Sequence, residues 1–591
     1  MTEYAMPRYF QKMPVIGSPC NTIDEENARS IQEVEAELDE ALKILLEAGR
    51  SDESLNKSGQ LTVMQRINVL VDAGTWRPIN SLFNPENNPD DGCSVVTGMA
   101  RIEDRWTVII GFDNKKTAGA WVPGQGRKIV RATEIAESLR IPLVYILNCS
   151  GMNLLEQEKL FSGRLCSGTP FYRHSRLQQE GMPVLIGIFQ TNPAGGGYHA
   201  ISPSLLIAKD DANFAVGGAG ILSGMNSTGF VDEESARQLV KNITSSQTPP
   251  PPGKMEIHHG QTGFVREVYG TEEEVLTSLR KYVAAMPVYD ADFFRVAEPA
   301  DPLFSGEDLY SIVLTNQRRM LDIQQVIARL TDGSEFSEYK SDYGPEIICG
   351  IAKVSGYLCG IIANRHGVLM NYPEYRENSL GLGGKLYRQG LIKMNEFTML
   401  CARDRIPLLW IQDTTGIDVG DDAECAEVLA LGQALVYSAQ DAKIPQMELT
   451  LRKASGAAHF LMGGPQGNDS NVFSFCTAVS QYNPIIAETA AAAVYSRRLV
   501  REVKAGEDIK NTVQLMNDLI QKYKDTSEKP RFIVKTGLAD ECLKLPEIRA
   551  YLEAFVEAAY QNPVSTCPPH LMLLPRIIKD YDSIKEKQAL K

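Results

Sequence analysis

Cysteine is scarce in this chain, with eleven in 591 residues, and none stands in a CxxC pair. The closest two, Cys349 and Cys359, lie ten apart, which excludes a zinc knuckle and a disulfide scaffold and leaves reduced, buried thiols as the expectation. Long apolar runs are missing too. No stretch of about eighteen apolar residues occurs, and the start MTEYAMPRYFQKMPVIGSPC lacks the texture of a secretory leader. A cytoplasmic chain that does not itself span a membrane is expected. Positive charge is in deficit: 60 Lys and Arg stand against 74 Asp and Glu, a net charge of −14. Nucleic-acid backbones are poor partners for such a surface, whereas a small anionic ligand needs only a local basic patch. HExxH, GxSxG and GxxxxGKS/T patterns are absent. Of seven histidines, His258 and His259 are adjacent; neighbouring side chains diverge, so they read as loop residues, and no metal is expected.

What is present is an ordinary folded composition, 43% apolar and 23% charged. Asn27 to Ala48 has apolar residues at helical spacing with Gly49 as a stop. From about Val95, short β-branched runs alternate with helical segments, the pattern of βαβ units and an α/β fold. The run SSQTPPPPG, residues 245–253, reads as a surface insert, and 287–321 as a linker. Four segments follow: an N-terminal helical segment and entry (1–90), a first α/β domain (91–286), the linker (287–321) and a second α/β domain (322–591).

The two domains look alike. Ile141-Pro142-Leu143, an apolar strand and Cys149-Ser150-Gly151 recur 265 residues later as Ile406-Pro407-Leu408, a strand and Thr414-Thr415-Gly416. Pro183 recurs 262 residues later at Pro445, and in the turns that follow, Ala194 to Tyr198 and Ser455 to His459, Gly195 and Ala457 stand at the same 262-residue offset. Even the lead-ins from Arg66 and Gln325 agree. Several ordered matches with a drift of three residues indicate a tandem duplication.

Each copy has two small-residue turns directly after apolar strands. Such turns let backbone N–H groups approach a ligand, and the following helix start favours negative charge. Two turns facing one another make an oxyanion hole, Gly151 with Gly195 and Gly196 in one copy and Gly416 with Ala457 and Ala458 in the other. One donor of that kind contributes about 2.7–4 kcal/mol. Other candidates are weaker. GLGGK (Gly381 to Lys385) lacks the hydroxyl residue of a phosphate loop and reads as a loop with a helix start, and Asp421-Asp422 reads equally as an acid–base pair or an exposed helix N-terminus. Backbone donors without a convincing nucleophile or base suit chemistry that stabilises an enolate-type anion.

Here the residues resemble a known family, the biotin-dependent acyl-CoA carboxyltransferases. The likeness is carried by RINVLVDAGTW, DGCSVVTGMARI, AGGGY, VIARLTDGSEFSEY with GIAKVSG and GIIANRHGVL, and RKASGAAHFLM. It implies two crotonase-like (ββα superhelix) domains. The N-terminal one would bind acyl-CoA and hold the thioester oxygen at Gly195 and Gly196 with Gly151. The C-terminal one would receive biotin at Ala457 and Ala458 with Gly416 nearby. Lys115, Lys116, Arg127 and Lys128 are candidates for the CoA phosphates. No AMKM attachment motif is present, so biotin would ride on a separate carrier subunit. A homo-oligomer with inter-subunit active sites is also implied. Two departures stand out: VGGAGILSGMNSTGF replaces a GGP-type stretch, and Met152 follows Gly151 where the family has glycine. The likeness is greatest to the branch that decarboxylates glutaconyl-CoA to crotonyl-CoA, which implies a membrane sodium-pump subunit as partner and a peripheral place on the inner face of the cell membrane. The alternatives are the carboxyltransferase subunit of a propionyl-CoA or methylcrotonyl-CoA carboxylase, and a non-catalytic scaffold of a biotin enzyme complex.

Overall fold

A computed structural model describes residues 13–88, 92–166, 168–200, 203, 205–218, 231–244, 252–287, 294–562 and 565. Most of the proline insert (245–251) and of the stretch 216–230, from residue 219 on, lie outside the described residues, as do 288–293 of the expected linker. Two compact units form, Glu40–Val288 and Met1–Asp39 with Tyr289–Lys591.

Apolar, β-branched runs build a seven-stranded sheet in each unit. In the first, β1 (Arg77–Pro78), β2 (Val95–Ile102), β3 (Arg105–Phe112), β4 (Leu143–Leu147), β5 (Val184–Ile188), β7 (Leu205–Lys209) and β9 (Glu267–Tyr269) lie side by side in that order. Between them, β6 (Thr191–Pro193) and β8 (Asn213–Ala215) pair separately in parallel. In the second, the order is β10 (Phe336–Glu338), β11 (Ile347–Val354), β12 (Tyr357–Asn364), β16 (Leu408–Gln412), β18 (Gln446–Thr450), β20 (Asn471–Thr477) and β22 (Glu541–Leu543). Smaller pairs are β13 (Val368–Met370) with β14 (Leu380–Leu382), β15 (Lys385–Leu386) with β17 (Gly416–Ile417), and β19 (Lys453–Ser455) with β21 (Gln481–Asn483).

Both large sheets begin with two antiparallel pairings and continue with four parallel ones. Both hairpins turn on two left-handed residues, Glu103 and Asp104 in one and Ser355 and Gly356 in the other, which suits the twist of the strands they join. The parallel strands β4, β5, β16 and β18 are buried at every position, as strands covered on both faces must be. Helix Gln125–Leu139 packs on β2, β3 and helix Thr169–Gln179 in the first unit; helix Arg388–Asp404 packs on β11 and helix Val428–Asp441 in the second. The expected N-terminal helix spans Glu25–Glu47. Among the described residues no helix is long and apolar enough to cross a membrane. The repeated strand order and the same sequence of antiparallel and parallel pairings bear out the α/β tandem duplication.

Candidate active site

In the first unit, β4 runs out into Asn148-Cys149-Ser150-Gly151. The fully buried Arg66, from the lead-in helix Val63–Leu70, fixes this exit: it donates to Asn148 Oδ1 at 3.0 Å and forms a bidentate pair with Glu272 at 2.7 and 2.8 Å. The Cys149 N–H donates to Asn192 Oδ1 at 2.7 Å, which ties the turn to β6. After β6, Ala194 turns the chain at φ 47° into the single helical turn Gly195–Tyr198. The two turns meet so closely that only glycine fits: a Cβ on Gly196 would lie 2.1 Å from the Cys149 carbonyl oxygen. On Gly151, at φ 104°, a Cβ would lie 3.4 Å from the Pro193 oxygen. Gly151, Gly195 and Gly196 are thus brought together, with the helix's first N–H groups lacking intrahelical acceptors. Met152 pairs with Trp121 in an isolated parallel bridge. Burial pushes the Cys149 thiol up to about 12, so it is inert beside this turn.

The second unit repeats the arrangement with other side chains. β16 runs into Asp413-Thr414-Thr415-Gly416, and the Thr414 N–H donates to the Lys453 carbonyl at 2.9 Å. Helix Gly456–Leu461, which carries Ala457 and Ala458, packs against β17 and so brings both alanines to Gly416. Gly416 sits at φ 131° and a Cβ there would meet nothing within 4 Å, so its α-carbon faces open space. Asp413 holds the turn: its carboxylate lies 2.6 Å from Arg452 Nη2 and 2.9 Å from His366 Nε2. Burial alone would raise this carboxyl, but His366, Arg452 and Lys453 outweigh it and hold it down at about 2.

The cations proposed from sequence cluster around Asp113 and Cys93, but three are interior. Lys115 is buried and its ammonium donates to the Leu46 carbonyl and Asp52; Lys116 and Lys128 are buried as well. Arg127 alone of the four is exposed, its guanidinium over the Phe83 ring. GLGGK contributes to β14 and β15 ahead of helix Arg388–Asp404, and its Gly384 carbonyl accepts from Thr415 N at 2.7 Å, behind the second turn. Asp421 and Asp422 start the short exposed helix Asp421–Cys425, with Asp422 facing Arg376. His258 and His259 are not loop residues: His258 ends the helical turn Met255–His258 and His259 caps it, and their rings bond to the backbone carbonyls of Phe214 and Val265.

Sequence reasoning missed the layer beneath each turn. Under the first lie Phe112, Tyr145, Phe171, His174 and His199, ring against ring, with centroids 4.8 to 6.4 Å apart. Burial lowers His174 to about 3 and His199 well below its ordinary value, so both are neutral. Under the second, the buried Glu448 accepts from Gln412 Nε2 and Thr450 Oγ1, each at 2.6 Å, and from Ser474 Oγ at 2.5 Å. Burial still pushes Glu448 up to about 7 against these bonds. His459 joins through Gln412 at 2.9 Å. No spacing signal marks these residues, because they come from strands and helices far apart in sequence. Among the described residues no group of three or more His, Cys, Asp or Glu could hold a metal ion.

Paired backbone cradles in duplicated α/β units suit stabilisation of two oxyanions. Residues 54–573 match the family described as the carboxyl transferase domain. The chain belongs to the carboxyl transferase family. Among relatives of this carboxyl transferase, the glutaconyl-CoA decarboxylase subunit alpha of Acidaminococcus fermentans is 52% identical over 99% of this chain and 100% of its own. A probable mitochondrial methylcrotonoyl-CoA carboxylase beta chain of Drosophila melanogaster is 27% identical over 74% of each. The beta subunit of geranyl-CoA carboxylase from P. aeruginosa shares the fold, with a TM-score of 0.75 at 21% identity over 93% of this chain and 98% of that one. The carboxyl transferase is thus an enzyme built from two crotonase-like copies.

Proposed function

We propose that this carboxyl transferase moves the terminal carboxyl group of glutaconyl-CoA to biotin on a separate carrier subunit and releases crotonyl-CoA. The observation that carries this reading is the end-to-end likeness to a glutaconyl-CoA decarboxylase alpha subunit, against partial cover of a more distant carboxylase chain. When the terminal carboxyl leaves, the electron pair delocalises through the conjugated double bond to the thioester oxygen. Backbone donors at Gly151, Gly195 and Gly196 hold that oxygen in the first unit, and protonation at the γ-carbon gives crotonyl-CoA. The second turn fits a ureido group: Gly416 is open at its α-carbon, Ala457 is exposed, and Ala458 adds no bulk. Biotin, when bound there, supplies the nitrogen that accepts the carboxyl group. Arg127, as the exposed cation of the first unit's cluster, is the candidate for the CoA phosphates.

The same reading assigns acyl-CoA binding to the N-terminal domain and biotin binding to the C-terminal one. It includes a homo-oligomer with inter-subunit active sites and a membrane sodium-pump subunit that places the enzyme on the inner face of the cell membrane. The purified chain incubated with glutaconyl-CoA and free biotin is expected to form crotonyl-CoA. Turnover of propionyl-CoA or methylcrotonyl-CoA derivatives instead, or co-purification with an ATP-dependent biotin carboxylase, would overturn the assignment in favour of a carboxylase subunit.

A further inference from the structure

Trp121 touches both turns of the first unit. Its backbone is bound to the first turn: its N–H donates to the Gly151 carbonyl at 2.8 Å, and its carbonyl accepts from Asn153 at 3.1 Å. Its ring lies against the second: a Cβ built on Gly195 would fall 3.0 Å from the indole Cη2 and Cζ3 atoms. The indole N–H then donates to His199 Nε2 at 3.0 Å, and His199 is the residue that ends the helical turn Gly195–Tyr198. An indole N–H only donates, so His199 Nε2 carries the lone pair and the neutral ring's proton sits on Nδ1. The imidazole cannot swing away, because Phe112 and Phe171 meet it edge-on at 5.0 and 6.0 Å. Both side chains are buried, Trp121 at 4% exposure and His199 at 0%.

We infer that the Trp121–His199 hydrogen bond is a positioning element that fixes the spacing between the two turns of the first oxyanion hole. This rests on the reading of that hole as the cradle for the thioester oxygen. Donors must stand about 2.7–3.1 Å from the developing oxyanion, and a misplacement of about 1 Å costs on the order of a hundredfold in rate. The second unit has no such bond at the matching place. Leu386 pairs with Ile417 there as Trp121 pairs with Met152, and Leu386 is a buried apolar side chain held in a two-residue ladder. The polar tie therefore belongs to the first copy.

The test compares H199L, H199Q and W121F in the full chain, each checked for wild-type secondary structure and melting. With glutaconyl-CoA and free biotin, H199L and W121F are expected to lower kcat by about tenfold or more, with KM for the acyl-CoA within about threefold. H199Q, which keeps an acceptor, is expected to recover most of kcat. A folded H199L or W121F with wild-type kcat overturns the inference, and so does an H199Q no better than H199L. If the wild type turns over a different acyl-CoA, the proposed function fails while the same comparison proceeds with that substrate. Crystal structures of the variants give a readout independent of substrate. An indole displaced from Gly195 in H199L supports the tie, and one left in place overturns it.

Discussion

The two units share a strand order, a pair of turns and the residues that must be small, yet they differ in what lies beneath those turns. The first rests on neutral aromatic and imidazole rings around His199, the second on a buried carboxylate, Glu448, with hydroxyl and amide donors. Their strand exits are anchored differently as well. Arg66 reaches a neutral Asn148 and keeps its charge paired with Glu272, whereas Arg452 and His366 pair directly with Asp413 at the matching position. Duplication preserves the backbone donors because geometry alone makes them useful. The side chains behind them were free to diverge, because each cradle needs only a rigid support and not a particular one.

That contrast can be broken at several points. The largest effect is expected from Gly196→Ala, where the new Cβ would strike the Cys149 carbonyl oxygen at 2.1 Å and force the two turns apart. A loss of about 100-fold or more in kcat is expected. Gly416→Ala meets no atom within 4 Å and suffers only the strain of φ 131°, about 1–3 kcal/mol, so its loss should be nearer tenfold. Steady-state rates with free biotin as acceptor check both, and an equal or reversed order would remove the distinction.

Arg66→Met strands the buried Glu272 carboxylate and should cost about 3–5 kcal/mol of stability, whereas Arg452→Met leaves Asp413 paired with His366 and beside Lys453 and should cost less. Urea unfolding measures this; a variant that unfolds with the wild type would show its carboxylate to be supported by other groups.

Glu448 gives the second unit a pH dependence that Ile186, its counterpart in the first, cannot have. Its folded value of about 7 lies above the ordinary 4.5, because burial disfavours the charged form. The stabilisation is therefore fully present below about pH 4.5 and is lost as pH rises through about 7. Glu448→Gln should flatten the melting temperature across that window, removing a slope worth on the order of 3 kcal/mol in total. An unchanged slope in the variant would place the titration elsewhere.

The smallest effects concern the basic cluster. Lys115→Ala removes a buried ammonium's bonds to the Leu46 carbonyl and Asp52 and should leave KM for acyl-CoA unchanged. Arg127→Ala should raise that KM by about threefold with kcat intact. The reverse ranking would move the phosphate contact from Arg127 to Lys115.

Much of this was legible in the chain itself. The 265- and 262-residue offsets carry over to the register of the parallel strands, with Leu143 beside Val184 as Leu408 is beside Gln446. The places of Gly151, Gly195, Gly196, Gly416, Ala457 and Ala458 after apolar strands mark them in the sequence, and each set gathers at its turn. Lys115, Lys116 and Lys128 show the limit of such reading. Sequence gives a lysine its charge but not its exposure, and a four-carbon stem can bury as readily as it can reach solvent. Trp121, His199 and Glu448 carried no local signal.

Sequence by itself determined the duplication, the α/β layering and the small residues at the turns, because periodicity and the absence of a side chain are local properties. Tertiary structure alone decided which charges are interior, which rings support the first cradle and which carboxylate supports the second. Those depend on contacts between residues tens to hundreds of positions apart, and no local pattern encodes the burial that sets their charge.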